Sequence, residues 1–254
     1  MKKLVFLMLL ATIGFGVQAK DLRIGIEAAY PPFSMTKPDG SFAGFDIDIA
    51  RALCAELKRN CVLVKQNWDG LIPALMARKF DAIVASMSIT EERKKKVSFT
   101  EKYYSAPAQF IALKGKYPNF STKDMQGKSV GVQRSTIMDN FVTDNFEKKG
   151  IVSIKRYKTQ DEASLDLVSG RVDFGFMELV TGGDFLKTKD GKKFEFVGKS
   201  YSDKKWFGEG IGIAIRKKDN DLRKQLNQAI KNIRANGTYQ KIQSKYFEFD
   251  IYGD

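Results

Sequence analysis

Apolar residues fall along this chain in short runs of two kinds, and the alternation between them predicts an α/β fold. LRIGI (22–26) is a near-continuous apolar run of strand length and reads as a buried strand. FDIDIARALCAEL (45–57) sets Ile47, Ala50, Leu53 and Leu57 on one face and predicts a helix, with Asp46 or Asp48 as its cap. CVLVKQ (61–66) predicts the next strand. Two later segments, LIPALMARKFDAIVAS (71–86) and ASLDLVSGRVDFGFME (163–178), align without a gap, pairing Leu75 with Leu167, Asp81 with Asp173 and Ser86 with Glu178. Each predicts a helix, a short basic turn and a buried strand. RIGIE (23–27) and SVGVQ (129–133) correspond more weakly, as strands that end in a polar residue. The pattern is that of two similar lobes. GEGIGI (208–213) lacks dinucleotide-binding spacing and reads as a strand returning to the first lobe. The tail from 226 to 247 predicts an amphipathic helix, a glycine-marked break and a second helix.

The first nineteen residues join a Lys2-Lys3 head to an apolar stretch and a Val17-Gln18-Ala19 ending, the pattern of a secretory signal peptide. That stretch is short for a membrane span, so an exported, soluble mature chain of roughly 235 residues is expected in a Gram-negative periplasm. Cys54 and Cys61 are expected to form one disulfide in that compartment, the alternative being two buried thiols. The small loop it closes would be worth about 2 to 2.5 kcal/mol. There is no histidine, which removes Ser-His-Asp and Cys-His catalysis and histidine metal sites together. A formal charge of +13 is spread over scattered lysines rather than gathered with aromatics, so it reads as a solubilising surface and not as a nucleic-acid face.

Candidate chemistry lies at the strand ends, because open α/β sheets bind ligands beyond the carboxyl ends of their strands. Residues 27–30, 86–88, 133–136 and Glu178 occupy those places and could line one cleft between lobes. Glu27 and Glu178 are anionic there. Arg93 follows within the charge run EERKKK (91–96), and its planar guanidinium can bind a carboxylate in a bidentate way that Lys94, Lys95 and Lys96 cannot. The lysines read as a solvated face. Ser135 and Thr136 can cap the following helix, whose free N–H groups favour a second anionic contact. Tyr30, which precedes Pro31-Pro32, and Trp68 could hold an alkyl stem or cation between rings, core packing being their commoner fate. A ligand with one carboxylate and two cations balances this set, and an amino acid with a cationic side chain fits it.

AAYPPF, GFDIDIA, WDGLIPAL, FDAIVASMSITEER, VSFTEKYY, GKSVGVQRST, SGRVDFGF and NGTYQKIQSKYF, in this order, resemble the polar amino-acid solute-binding proteins that serve ABC importers, nearest the lysine/arginine/ornithine-binding and arginine-binding group. The resemblance spans essentially the whole mature chain, the cysteine pair included. It implies a type II periplasmic binding fold: lobe I from 20–106 and 207–254, lobe II from 107–206, each a mixed sheet flanked by helices, hinged near 105–110 and 202–208. It assigns the ligand α-carboxylate to Arg93 with Ser88 and Thr136, and the α-ammonium to Glu178. A cationic side chain falls to Glu27, sandwiched by Tyr30 and Trp68, with Ser86, Met87 and Ser135 completing the set. The chain departs from the pattern in carrying glutamate at 27 and 178, where relatives often have aspartate, and Arg134 at the cleft mouth. The implied function is capture of arginine first, then lysine, ornithine or histidine, by a cofactor-free monomer that delivers it to an inner-membrane permease. Another class, an exported dehydratase of the cyclohexadienyl or arogenate type on the same fold, would use Glu178 as a proton donor. Its anionic substrate has no cationic side chain to meet Glu27.

Overall fold

The structure, a computed structural model, describes residues 20–253; the signal-like segment 1–19 lies outside the described residues. Two five-stranded mixed sheets carry the chain. In the first, Leu22–Ile26 pairs in parallel with Cys61–Lys65 on one side and Ala82–Ile83 on the other, followed by antiparallel Ile211–Ile215 and Ser98–Tyr104. The second repeats this order: Lys128–Gln133 lies parallel between Val152–Tyr157 and Phe174–Glu178, then come antiparallel Ala108–Leu113 and Phe194–Tyr201. The chain crosses between sheets twice, through 105–107 and again after Tyr201. Phe207, just beyond that second departure, still packs on Phe141 and Phe176 of the second sheet's core.

The two segments that align in sequence do the same job in each lobe. The N–H of Asp81 donates to the Arg23 carbonyl at 2.8 Å while its carboxylate accepts from the Arg23 N–H at 3.2 Å. Asp173 repeats both bonds with Ser129, each at 3.0 Å. Because Arg23 and Ser129 open the strands that end in Glu27 and Gln133, these clasps fix where both strand ends fall. Residues 24–26 and 130–132 are buried at every position, which is why these stretches run apolar without alternation.

The predicted helix forms over Phe45–Glu56 and buries Ile47, Ala50 and Leu53, but neither aspartate caps it. Gly44 takes the cap position at φ 125°, where a Cβ would run into the Phe33 backbone, so glycine is required by both conformation and space. Asp48 instead accepts from Lys245 at 3.0 Å, tying this helix to the segment just after the last helix, and Asp46 turns inward. Disulfide Cys54–Cys61 joins the same helix to the strand it feeds. The tail forms helices Asn220–Ala235 and Thr238–Gln243 around Gly237 at φ 81°, packed against Phe45–Glu56. No helix among the described residues is long and apolar enough to cross a membrane.

Candidate functional site

The parallel strands of both sheets point their carboxyl ends at one another, and between them lies a small cavity. Lobe I supplies Glu27, Tyr30, Trp68, Ser86, Ser88 and Arg93 to its lining, and lobe II supplies Gln133, Thr136 and Glu178. Cross-cleft contacts among the described residues close the lobes over it. Gln133 Nε2 donates to Glu27 Oε1 at 2.5 Å, Trp68 Nε1 donates to the Ser135 carbonyl at 3.0 Å, and Arg134 pairs with Asp69 at 2.5 Å.

The cavity has two electrostatic poles. At one, Arg93 sits in a single helical turn, Glu91–Lys94, whose cap Thr90 accepts from the Arg93 N–H. The guanidinium donates through Nη1 to the Ser88 carbonyl at 3.0 Å and lies 5.2 Å from the centre of the Trp68 ring. Burial pushes its pKa down to about 10, with Glu92 and Glu178 opposing, so it stays a cation at neutral pH. Opposite it begins helix Ile137–Val142. The Thr136 hydroxyl is spent on the Gln133 carbonyl and on the Asp139 N–H. The first backbone N–H groups of this helix, at the cavity-lining Ile137 and Met138, have no acceptor within it. Arg93 and this helix start offer donors suited to a carboxylate.

The other pole is built of carboxyl groups, anionic once a cation meets them. Glu27 is 4% exposed and Glu178 2% exposed, and burial pushes each carboxyl up to about 8. Gln133 pulls the Glu27 value back, while Asp161, Asp46 and Asp69 push it further up. The charges bearing most on Glu27 are therefore all of its own sign. For Glu178, Asp46 raises the value while Tyr30 and Arg93 oppose it, and its Oε2 has no hydrogen-bond partner among the described residues. Beneath the cavity Asp46, fully buried, accepts from Ser86 Oγ at 2.9 Å and from Tyr103 Oη at 2.8 Å. Burial lifts its carboxyl to about 7 and these two donors hold it back. Buried carboxylates require a cation or a proton.

Residues 22–249 match the bacterial extracellular solute-binding proteins, family 3. The chain belongs to that family. The L-arginine-binding protein of Pseudomonas aeruginosa is 52% identical over 235 residues, covering 92% of this chain and 90% of that protein. The histidine-binding periplasmic protein of Escherichia coli K12 is 40% identical over 260 residues, with all of both chains covered. Among solved structures, a periplasmic binding protein of Salmonella typhimurium described as highly arginine-specific superposes with a TM-score of 0.83, at 32% identity, covering 90% of this chain and 100% of that one. All three are named as binding proteins, and this chain is a two-lobed solute-binding protein rather than an enzyme.

In this solute-binding protein the residues expected at the cleft do not all face it. Glu27, Tyr30, Trp68, Ser86, Ser88, Arg93, Thr136 and Glu178 line the cavity together. Met87 does not: Ser86, at φ 51°, turns the chain, and Met87 is buried in the apolar cluster of Leu71, Phe80 and Ile83. Ser135 does not either. At φ 62° its side chain is exposed, its N–H donates to Asp139 at 3.0 Å, and its carbonyl serves Trp68. Lys94, expected as a free solvated cation, is tied to Glu91 at 2.9 Å and Glu209 at 3.0 Å, whereas Lys95 and Lys96 are exposed. Two residues acquire parts that the sequence did not assign. Asp46 was legible only as a cap candidate, and Gln133, expected along the cleft, had no contact assigned to it.

Proposed function

We propose that this chain captures a basic L-amino acid, arginine first, in the cavity between its lobes and delivers it in the periplasm to the permease of an ABC importer. One observation carries the reading: Arg93 and buried Glu27, which has no cation partner among the described residues, line the same cavity, with the Arg93 charge acting on Glu178. In this reading Arg93 and the start of helix Ile137–Val142 take the α-carboxylate, Glu178 the α-ammonium, and Glu27 the side-chain cation, so three opposed charges are neutralised at once. Tyr30 and Trp68 flank the stem. The likeness to the arginine-binding protein of Pseudomonas aeruginosa supports arginine as the first candidate, and the histidine-binding relative sets the competitor. Ligand exchange requires the lobes to part about the segments 105–107 and 202–210, breaking the cross-cleft contacts, with the closed form presented to the permease. Calorimetry on protein stripped of ligand, against the twenty amino acids and ornithine, tests this. Binding of arginine at nanomolar to micromolar Kd, about 8 to 12 kcal/mol, is expected. Heat only with glutamate or glutamine, or with no cationic amino acid, overturns it.

A further inference from the structure

We propose that Gln133 is a specificity-determining residue that makes the anionic pole prefer a guanidinium to an ammonium, a reading that rests on the basic-amino-acid function above. Gln133 closes its strand at the cavity with 2% exposure, and its Nε2 gives its two N–H groups to Glu27 Oε1 at 2.5 Å and to the Lys158 carbonyl at 3.2 Å. A backbone carbonyl can only accept, so the amide cannot be turned the other way without placing oxygen against oxygen. With both N–H groups spent, the carbonyl oxygen is all that Gln133 has left to offer in the cavity it lines. Glu27, with Oε1 taken, offers mainly Oε2.

Closure therefore holds two acceptors side by side, one charged from lobe I and one neutral from lobe II, linked by the bond between their own side chains. A guanidinium presents five N–H groups in a rigid plane and can reach both acceptors at once. An ammonium is a compact charge that gains most from the carboxylate alone. Because the Gln133–Glu27 bond crosses the cleft, the acceptor pair exists only in the closed form, and side-chain selection is made at the moment of closure.

The experiment compares arginine and lysine by calorimetry on ligand-stripped wild type, Gln133→Met, which keeps side-chain length without polar atoms, and Arg134→Ala, which removes the cross-cleft pair with Asp69 while leaving the Gln133–Glu27 bond in place. Thermal melts establish that each variant folds, with Gln133→Leu as the substitute where methionine does not. The expected result is an arginine-to-lysine affinity ratio that falls at least tenfold in Q133M and is unchanged in R134A, although R134A weakens both ligands. Equal weakening of arginine and lysine in Q133M would mean that Gln133 only closes the lobes, and would overturn the proposal while leaving the function intact. Wild type that binds neither ligand would overturn the function and this inference with it.

Discussion

Replacing Glu27 with glutamine separates ligand capture from stability. The carboxyl is 4% exposed and lifted to about 8 by burial and by Asp161, Asp46 and Asp69. A carboxylate whose folded pKa is raised binds protons more readily in the native state, so its contribution to stability is whole below about 4.5 and is lost as pH climbs toward 8. At pH 7 the loss in the closed, unliganded protein is about 3 kcal/mol. Glutamine carries no charge to desolvate and still offers Gln133 a carbonyl, so E27Q should stabilise the ligand-free protein by up to that amount at pH 7. The gain should shrink toward zero by pH 4.5. Binding moves the other way: if the amide keeps its bond to Gln133, it turns an NH2 toward the ligand's cation. Loss of a buried charge partner costs about 2 to 5 kcal/mol, thirtyfold to several thousandfold in Kd. Urea unfolding of stripped wild type and variant at pH 5, 6, 7 and 8, with calorimetric titration of arginine at pH 7, reads both effects. An E27Q protein no more stable than wild type at pH 7, or one that binds arginine within threefold of wild type, would refute the assignment of Glu27 as a charge held unfavourably for the ligand's sake.

Arg93→Lys should weaken arginine binding about 100-fold, since an ammonium cannot reproduce the planar fork that also bonds the Ser88 carbonyl. Lys95→Ala, on the exposed side of the same turn, should stay within twofold by the same titration. Tyr103→Phe leaves Asp46 Oδ1 without a donor, at a cost of about 1 to 3 kcal/mol once Asp46 is ionised. Because that carboxyl titrates near 7, the destabilisation measured in urea should be larger at pH 8 than at pH 5. Cys54→Ser with Cys61→Ser should lower unfolding free energy by about 2 to 2.5 kcal/mol and leave arginine affinity within threefold, since the bridge ties a helix end to an edge strand away from the cavity.

The sequence by itself determined the elements and the places where chemistry could sit. Strand Leu22–Ile26, helix Phe45–Glu56 and strand Phe174–Glu178 follow from apolar periodicity, and the paired segments show two lobes because Asp81 and Asp173 must make the same clasp in each. Polar residues ending buried strands are legible for the same reason: burial on both faces leaves the carboxyl end as the first place where a charge can stand. Met87 was misplaced because the chain turns at Ser86, at φ 51°, just beyond the strand Ala82–Ile83, and that turn sends Met87 into the apolar cluster. Only the tertiary structure decided the rest. Glu27 and Gln133 are 106 residues apart, Ser86 and Asp46 forty, and Trp68 and Ser135 sixty-seven; no local pattern encodes which polar ends will meet when two sheets face each other. Whether a carboxylate is a helix cap or a buried charge beneath a ligand is likewise set by what covers it. Asp46 and Asp48 stand two residues apart in one helical turn, and the fold buries one of them under Ser86 while leaving the other to a lysine at the surface.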